Sequence, residues 1–219
     1  MNNLIKTKHK ILDINVSQTG LIELTLEKNN LTYLPGDCVA IYTDKGHSRP
    51  YSIASGINDD FIKFLIRYIP NGEVSSVLYS MKKDQQLYLS NPFGWFRPGE
   101  NINNSKNVFI ATGTGIAPFL SYIKTFPDNP PISLFYGVSF KNDLVGVKFF
   151  GKNINIAVSQ EDTKFHKGRI TDLFEYLPIS KKINYYCCGR EKMINDVRNH
   201  LVNNKILKDN IFNEVFFNG

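Results

Sequence analysis

The sequence predicts two domains: an antiparallel six-stranded β-barrel over residues 1–100, then a doubly wound α/β parallel sheet over residues 101–219. Up to about residue 100, short apolar runs are separated by turn residues. Beyond Arg97-Pro98-Gly99-Glu100-Asn101-Ile102-Asn103-Asn104, a linker by composition, apolar runs alternate with helical patterns instead. With 219 residues, 42% of them hydrophobic, each half can bury a core of its own.

In the first half the strands are expected at 5–16, 21–27, 38–42, 49–54, 62–69 and 86–90. Thr19-Gly20, Asn29-Asn30, Pro35-Gly36 and Asn58-Asp59-Asp60 break them, because these residues accept or preset turn geometry. A single helical insertion is expected near 74–80. In the second half strands at 107–111, 132–138, 154–159, 185–188 and 214–217 alternate with helices near 116–126, 143–150, 170–177 and 192–204. That alternation is the mark of a parallel sheet with crossover helices.

Composition narrows the function classes. No apolar stretch approaches the roughly 20 residues that span a bilayer, and Met1-Asn2-Asn3-Leu4-Ile5-Lys6 carries no signal-peptide core, so a soluble, cytoplasmic monomer without a membrane partner is expected. Three cysteines, Cys38, Cys187 and Cys188, cannot supply the four thiolates of a two-iron cluster. Adjacent cysteines on a strand point to opposite faces, so neither an internal iron-sulfur centre nor another metal site is expected. Residues 1–100 hold 11 Lys/Arg against 10 Asp/Glu, and residues 101–219 hold 15 against 10, so most of the net +6 lies in the second half. Such a surface suits an acidic protein partner or a phosphorylated coenzyme, and equally suits plain solvation. The basic residues are scattered and form no recognition helix, which argues against nucleic acid.

Two short runs carry the chemistry. Arg49-Pro50-Tyr51-Ser52 offers a cation, an aromatic face and a hydroxyl, the groups needed to hold a flavin's pyrophosphate, stack its ring and reach the ring's edge. Extended geometry puts Arg49 and Tyr51 on one face; an edge strand with a surface arginine and a core tyrosine is the plainer alternative. Gly113-Thr114-Gly115-Ile116-Ala117-Pro118, preceded by Thr112, is a glycine turn between a strand and a helix, where backbone amides meet dinucleotide phosphates. It lacks the third glycine of the Rossmann fingerprint. Gly72-Glu73-Val74-Ser75 opens a short helix that can receive a phosphate, or in which the serine is only a cap. Cys188 ends a strand beside Gly189, in the crevice where open parallel sheets bind ligands, although strand-end cysteines are most often buried apolar residues.

Taken with Asn91-Pro92-Phe93-Gly94, Cys188-Gly189-Arg190-Glu191-Lys192-Met193 and the terminal Glu214-Val215-Phe216-Phe217, these motifs make the chain resemble the ferredoxin-NADP reductase family along nearly its whole length. The resemblance implies an FAD-binding barrel followed by a nicotinamide-binding domain. It implies that Arg49 binds the FAD pyrophosphate with Pro50 beside it, that Tyr51 stacks on the isoalloxazine, and that Ser52 bonds near the hydride-accepting nitrogen. Gly72, Val74 and Ser75 would complete the phosphate site, while Thr112, Gly113, Thr114, Gly115 and Gly189 would face the nicotinamide dinucleotide. Cys188 would sit beside the reacting nicotinamide carbon, orienting rather than attacking. Phe216 would cover the ring face opposite Tyr51, and Glu214 would relay protons with Ser52. Many members carry tyrosine where Phe216 stands, and Phe217-Asn218-Gly219 extend beyond it.

The resemblance leaves NADPH or NADH open. Members that prefer NADPH grip its 2′-phosphate with arginines where this chain has Ser159-Gln160 and Tyr136-Gly137-Val138-Ser139. Arg169, with Lys164, His166 and Lys167 close by, remains as a phosphate ligand or as part of a solvated basic loop. Relaxed or NADH-leaning use is therefore expected. For the acceptor, the favoured expectation is single-electron transfer to or from a ferredoxin or flavodoxin. A second is the reductase of an oxygenase, or an NAD(P)H-flavin reductase. A third is a non-enzymatic flavin-binding module, against which Cys188, Glu214 and the coenzyme motif speak.

Overall fold

In a computed structural model, which describes residues 6–99 and 106–216, the chain forms two six-stranded sheets joined by an apolar seam. The first holds β1 (Lys6–Val16), β2 (Leu21–Glu27), β3 (Cys38–Tyr42), β4 (Ser48–Ser52), β5 (Phe61–Arg67) and β6 (Gln86–Ser90) in the antiparallel order β4-β3-β6-β1-β2-β5. β1 pairs with β6 through Lys10 and with β2 from Ile11 onward, and its register shifts between Ile11 and Asp13. Such a bulge bends a strand and lets it serve two partners. The outer strands then meet, with Ile53 bridged to Phe64 and the Ala54 N–H donating to the Lys63 carbonyl at 2.8 Å, so the sheet curls into a near-barrel. Inside it lie Ile22, Leu24, Leu26, Val39, Ile41, Phe64 and Leu89, alternate residues of their strands. The helix α1 (Ser75–Ser80) plugs one end with Leu78.

The second sheet holds β7 (Lys106–Thr112), β8 (Ser133–Val138), β9 (Ile154–Val158), β10 (His166–Lys167), β11 (Ile183–Gly189) and β12 (Ile211–Val215), all parallel, in the order β10-β9-β8-β7-β11-β12. Every residue of β8 and β11 is buried, as a sheet covered on both faces requires. The helix α2 (Ala117–Thr125) starts with Pro118 in its first turn, where a missing N–H does no harm. The helix α3 (Glu191–Asn203) buries the stripe Met193, Ile194, Val197 and Leu201, and Lys205 at φ 64° turns the chain out after it. Among the described residues, no helix is long and apolar enough to cross a membrane.

Several expectations need correcting. The helix expected at 143–150 is two 3-10 turns, at 141–143 and 147–150, separated by Gly146 at φ 68°. A Cβ on Gly146 would lie 2.1 Å from Leu120 Cδ2, so close packing against α2 selects the glycine, and the glycine interrupts the helix. The helix expected at 170–177 is also 3-10, irregular at Leu173. The two-residue β10 was not expected, because its residues carry no apolar pattern. The last strand begins at Ile211 and ends before Phe216; Phe217 and the 100/101 boundary lie outside the described residues.

The halves are held together by an ion pair and by shared core. Leu21, Ala54, Leu65 and Phe96 from the first half pack into one cluster with Phe109, Phe119, Tyr122 and Tyr186 from the second. At its edge the Arg67 Nη2 lies 3.0 Å from Asp143 Oδ2, whose side chain is 1% exposed, and the Thr19 hydroxyl donates to the other oxygen. Arg67 Nη1 also donates to the Thr19 carbonyl at 2.7 Å. Removing Arg67 strands the buried Asp143 carboxylate, so Arg67→Met should destabilise the protein by about 3–5 kcal/mol. The double change Arg67→Met with Asp143→Leu should recover most of that loss, and urea unfolding of the three proteins checks both expectations.

Candidate active site

The order of the second sheet places a crevice between β7 and β11, because the chain leaves β7 toward β8 on one side and later returns to β11 on the other. Ligands of open parallel sheets bind outside the strand carboxyl ends at such a switch point. Here the two ends touch backbone to backbone. A Cβ on Gly115 would sit 2.3 Å from the Cys188 carbonyl oxygen, and one on Gly189, at φ 134°, would sit 2.2 Å from Thr112 Oγ1. Thr112 Oγ1 accepts the Arg190 N–H at 3.0 Å and ties the ends together. Gly113, at φ 55°, has no atom within 4 Å of the position a Cβ would take. The turn Gly113–Ile116 is thus pressed against β11 on one side and open on the other, a cradle that fits a dinucleotide.

Strand register builds a buried polar cluster. Cys38 pairs with Ser52 across β3 and β4, and Cys188 pairs with Glu214 across β11 and β12. The two pairs meet where the sheets join. The Ser52 hydroxyl donates to Glu214 Oε2 at 3.0 Å, Cys188 Sγ lies 3.7 Å from the same oxygen, and Cys38 Sγ lies 3.5 Å from Oε1. Burial pushes the Glu214 carboxyl above its ordinary range, against hydrogen bonds from Ser52, Cys38 and Cys188 and the attraction of Arg97. Burial, with the nearby Glu214 charge second, pushes the Cys38 thiol up to about 12 and the Cys188 thiol well above its usual value. Both sulfurs are therefore neutral donors rather than nucleophilic thiolates. Cys187 points the other way, into the core under α3.

On the barrel side, Arg49 is exposed and Tyr51 is half-buried against the barrel core, its hydroxyl pushed up to about 12 by burial. Arg49 Nη2 lies 3.0 Å from Glu73 Oε2, and His47 Nδ1 lies 2.9 Å from Glu73 Oε1, which brings the arginine to the turn that opens α1. Exposed pairs of this kind contribute at most about 1 kcal/mol, so a doubly charged pyrophosphate can displace Glu73. Gly72 is needed there because a Cβ would sit 2.7 Å from Ser75 Oγ. The Ser75 hydroxyl is turned inward, where it accepts the Ile69 N–H at 3.1 Å, and Val74 is buried. The cation and the turn fit a phosphate, with Ser75 shaping the turn rather than presenting its hydroxyl. Pro50 is exposed on β4, and Phe216 donates its N–H to the Gly189 carbonyl at 2.9 Å and packs on the joined core.

At the ends of β8 and β9, Gln160 donates its N–H to the Ser139 carbonyl at 2.9 Å, and Ser159 donates its N–H to the Val138 carbonyl at 3.0 Å. The expected arginine positions are therefore neighbours in space, and they are uncharged. The Lys141 N–H donates to the Glu161 carboxylate just beyond them. Arg169 is exposed, and its N–H caps onto Asp172 Oδ2 at 2.7 Å. Lys167 pairs with Asp162 at 2.8 Å. Cys38 and Glu161 are the residues that sequence reasoning missed. Pairing 38–42 with 48–52 as a hairpin sets Cys38 opposite Ser52, and Glu161 lies just beyond the end of β9.

Residues 7–97 match the oxidoreductase FAD-binding domain, and residues 109–199 match the oxidoreductase NAD-binding domain. The chain is 25% identical over 227 residues to the 2-halobenzoate 1,2-dioxygenase electron transfer component of Burkholderia cepacia, covering 94% of this chain and 66% of that protein. It thus spans just under two thirds of that relative's length. It is 28% identical over 187 residues to the flavodoxin/ferredoxin-NADP reductase of Buchnera aphidicola subsp. Baizongia pistaciae, covering 74% of this chain and 75% of that one. The fold is also that of a ferredoxin NADP+ reductase from Neisseria gonorrhoeae solved with bound FAD and NADP, with a TM-score of 0.86 at 20% identity over 97% and 99% of the two chains.

The Glu214 environment has a consequence for stability. A carboxyl whose pKa is higher in the folded than in the unfolded chain supports the fold below its unfolded pKa. That support is lost as pH rises through the folded value. Glu214→Gln should therefore raise Tm more at about pH 8 than at about pH 4, where the glutamate is itself largely protonated. Calorimetry at the two pH values checks this, and an equal gain at both contradicts it.

Proposed function

The chain belongs to the ferredoxin-NADP reductase-like family of FAD- and NAD(P)-binding oxidoreductases, and from that premise we propose that it catalyses hydride transfer between NAD(P)H and FAD and passes single electrons to a ferredoxin or flavodoxin. Residues 1–100 would be the flavin half and residues 101–219 the coenzyme half. The observation that carries this reading is the meeting of Ser52 with Cys188 and Glu214 across the boundary between the sheets. Each half contributes one side of a single reacting centre. Bound FAD supplies two-electron acceptance and one-electron release.

The chain's own residues supply placement and protons. Arg49 and the turn at Gly72 hold the pyrophosphate, and Tyr51 and Phe216 offer ring faces. Gly113, Thr114 and Gly115 receive the coenzyme's phosphates, so that the two cofactors are brought together as one bound pair, which is the main source of rate in such a reaction. Ser52 donates to Glu214, whose raised pKa lets it hold a proton closer to neutral pH than an ordinary carboxylate does. The neutral Cys188 thiol orients without reacting.

Coenzyme use follows from charge. Ser159, Gln160 and Ser139 carry none of the cations that hold a 2′-phosphate, and the Glu161 carboxylate beside them repels one and suits a free 2′-hydroxyl. The reading is relaxed or NADH-leaning use. As to the acceptor, Phe93 is bridged to Cys38, and its ring and that of Trp95 are 48% and 99% exposed. Exposed aromatic rings beside a redox centre suit a protein acceptor better than free flavin. The kinship with the dioxygenase electron transfer component supports a second reading, in which the acceptor is an oxygenase component.

Anaerobic stopped-flow mixing should show NADH bleaching the flavin at least as fast as NADPH. A kcat/KM for NADPH on the order of a hundredfold higher contradicts that preference, and no bleaching by either coenzyme contradicts the reductase reading. Trp95→Ala should slow reduction of a protein carrier by about tenfold while leaving flavin reduction by NADH within about twofold. Steady-state assays with a carrier and with ferricyanide separate the two effects.

A further inference from the structure

We propose that Cys38 is a positioning residue of the reacting centre, holding the Glu214 carboxylate by the oxygen that Ser52 and Cys188 leave free. The inference deepens the proposed function and rests on its assignment of Glu214 to the flavin. Ser52 and Cys188 both reach Oε2, whereas Cys38 reaches Oε1 at 3.5 Å. A carboxylate gripped at one oxygen can swing about that contact; gripped at both, it keeps its plane. Cys38 is suited to the task because its own backbone is fixed. Its N–H donates to the Phe93 carbonyl at 2.7 Å and its carbonyl accepts the Phe93 N–H at 2.9 Å. The preceding Asp37 is pinned by Arg97 at 2.8 Å.

The thiol also remains a donor. Burial and the Glu214 charge push it up to about 12, so it keeps its proton at working pH. The same shift argues against the alternative use of a buried cysteine pair, oxidation to a disulfide with Cys188, since neither sulfur forms the thiolate that such chemistry needs. The groups that face Glu214 are Cys38 from β3, Ser52 from β4, Cys188 from β11 and Arg97 from the segment after β6, with Asp37 just before β3 acting on Cys38 and Cys187 on the opposite face of β11. Of these, Arg97 and the three donors favour the carboxylate. Loss of the Cys38 donor therefore makes the carboxylate harder to form.

The test reads Glu214 directly, without the reaction. The side-chain carboxyl of Glu214 is followed by carbon NMR across pH in flavin-free protein, in Cys38→Ala, Cys38→Val and Cys38→Ser. Alanine and valine lack the donor and err in size in opposite directions, so a shift of Glu214 titration to higher pH common to both reports the hydrogen bond rather than the packing. Serine should bring it back toward the parent. In the flavin-loaded protein, both donor-free variants should slow flavin reduction at neutral pH by about two- to tenfold, the effect of losing one modest hydrogen bond, with serine restoring it. Unchanged Glu214 titration in the alanine and valine variants overturns the proposal. A shifted titration with unchanged flavin reduction supports the positioning by Cys38 and overturns the role given to Glu214 in the proposed function.

Discussion

The contact between Arg67, Thr19 and Asp143 is the constraint on which the rest of this molecule depends, because the site exists only while two separate sheets keep one orientation. Apolar burial supplies most of the attraction between the halves. At about 25 cal/mol per Å2 of buried apolar area, the seam of Leu21, Leu65 and Phe96 against Phe109, Phe119 and Tyr186 outweighs any single polar contact. Yet apolar contact is non-directional, and a sheet can slide on it. The ion pair adds little net energy once desolvation is counted, but with the bond from the Ile57 N–H to Thr125 Oγ1 and the Lys124–Asp59 pair it restricts the alignment. Asp143 also carries that alignment to the coenzyme turn. Its carbonyl accepts the Tyr136 hydroxyl at 3.2 Å, and the same hydroxyl lies 3.1 Å from the Gly113 carbonyl.

Within that frame the cluster around Glu214 is a compromise between burial and charge. A carboxylate among two thiols and a hydroxyl is poorly solvated, and the fold tolerates it only because three weak donors and the Arg97 charge surround it. Stronger compensation, such as a direct arginine pair, would pull the Glu214 pKa back down. Sulfur is a useful material here. A thiol is a weak donor that carries no charge when buried, so it steadies a carboxylate without fixing its ionisation.

Much of the barrel was legible because its strands alternate. Residues 21–27, 38–42 and 86–90 were expected at the bounds observed, since each has an apolar face toward one core and is ended by turn residues. The parallel sheet was legible as continuous apolar runs, with ends off by one to three residues. What was not legible depends on tertiary fit. The helical pattern over 143–150 is real in sequence, but Leu120 demands a glycine at 146, and the segment breaks into 3-10 turns around it. Asp143 gives no sign of being buried, because a charged residue is buried only where a partner is supplied from 76 residues away in the chain. Ser52, Cys188 and Glu214 were found through motifs, whereas Cys38 enters the site only through the register of a hairpin, which no local pattern displays.

The loop after β9 shows how local pairing can reshape a charged surface without changing the fold. Near Arg169, Lys167 faces Asp162, while Asp172 accepts the Arg169 N–H and lies 3.5 Å from His166 Nε2. Local acids thus offset part of the positive field that the second half's composition promises. Arg169 stays exposed, but it is a single fork where phosphate recognition gains most from several donors converging. Meanwhile the Lys141 N–H holds the Glu161 carboxylate just beyond the end of β9. The field at this loop is therefore set by which charges it has already paired, a property of the folded chain that a count of lysines and arginines does not contain.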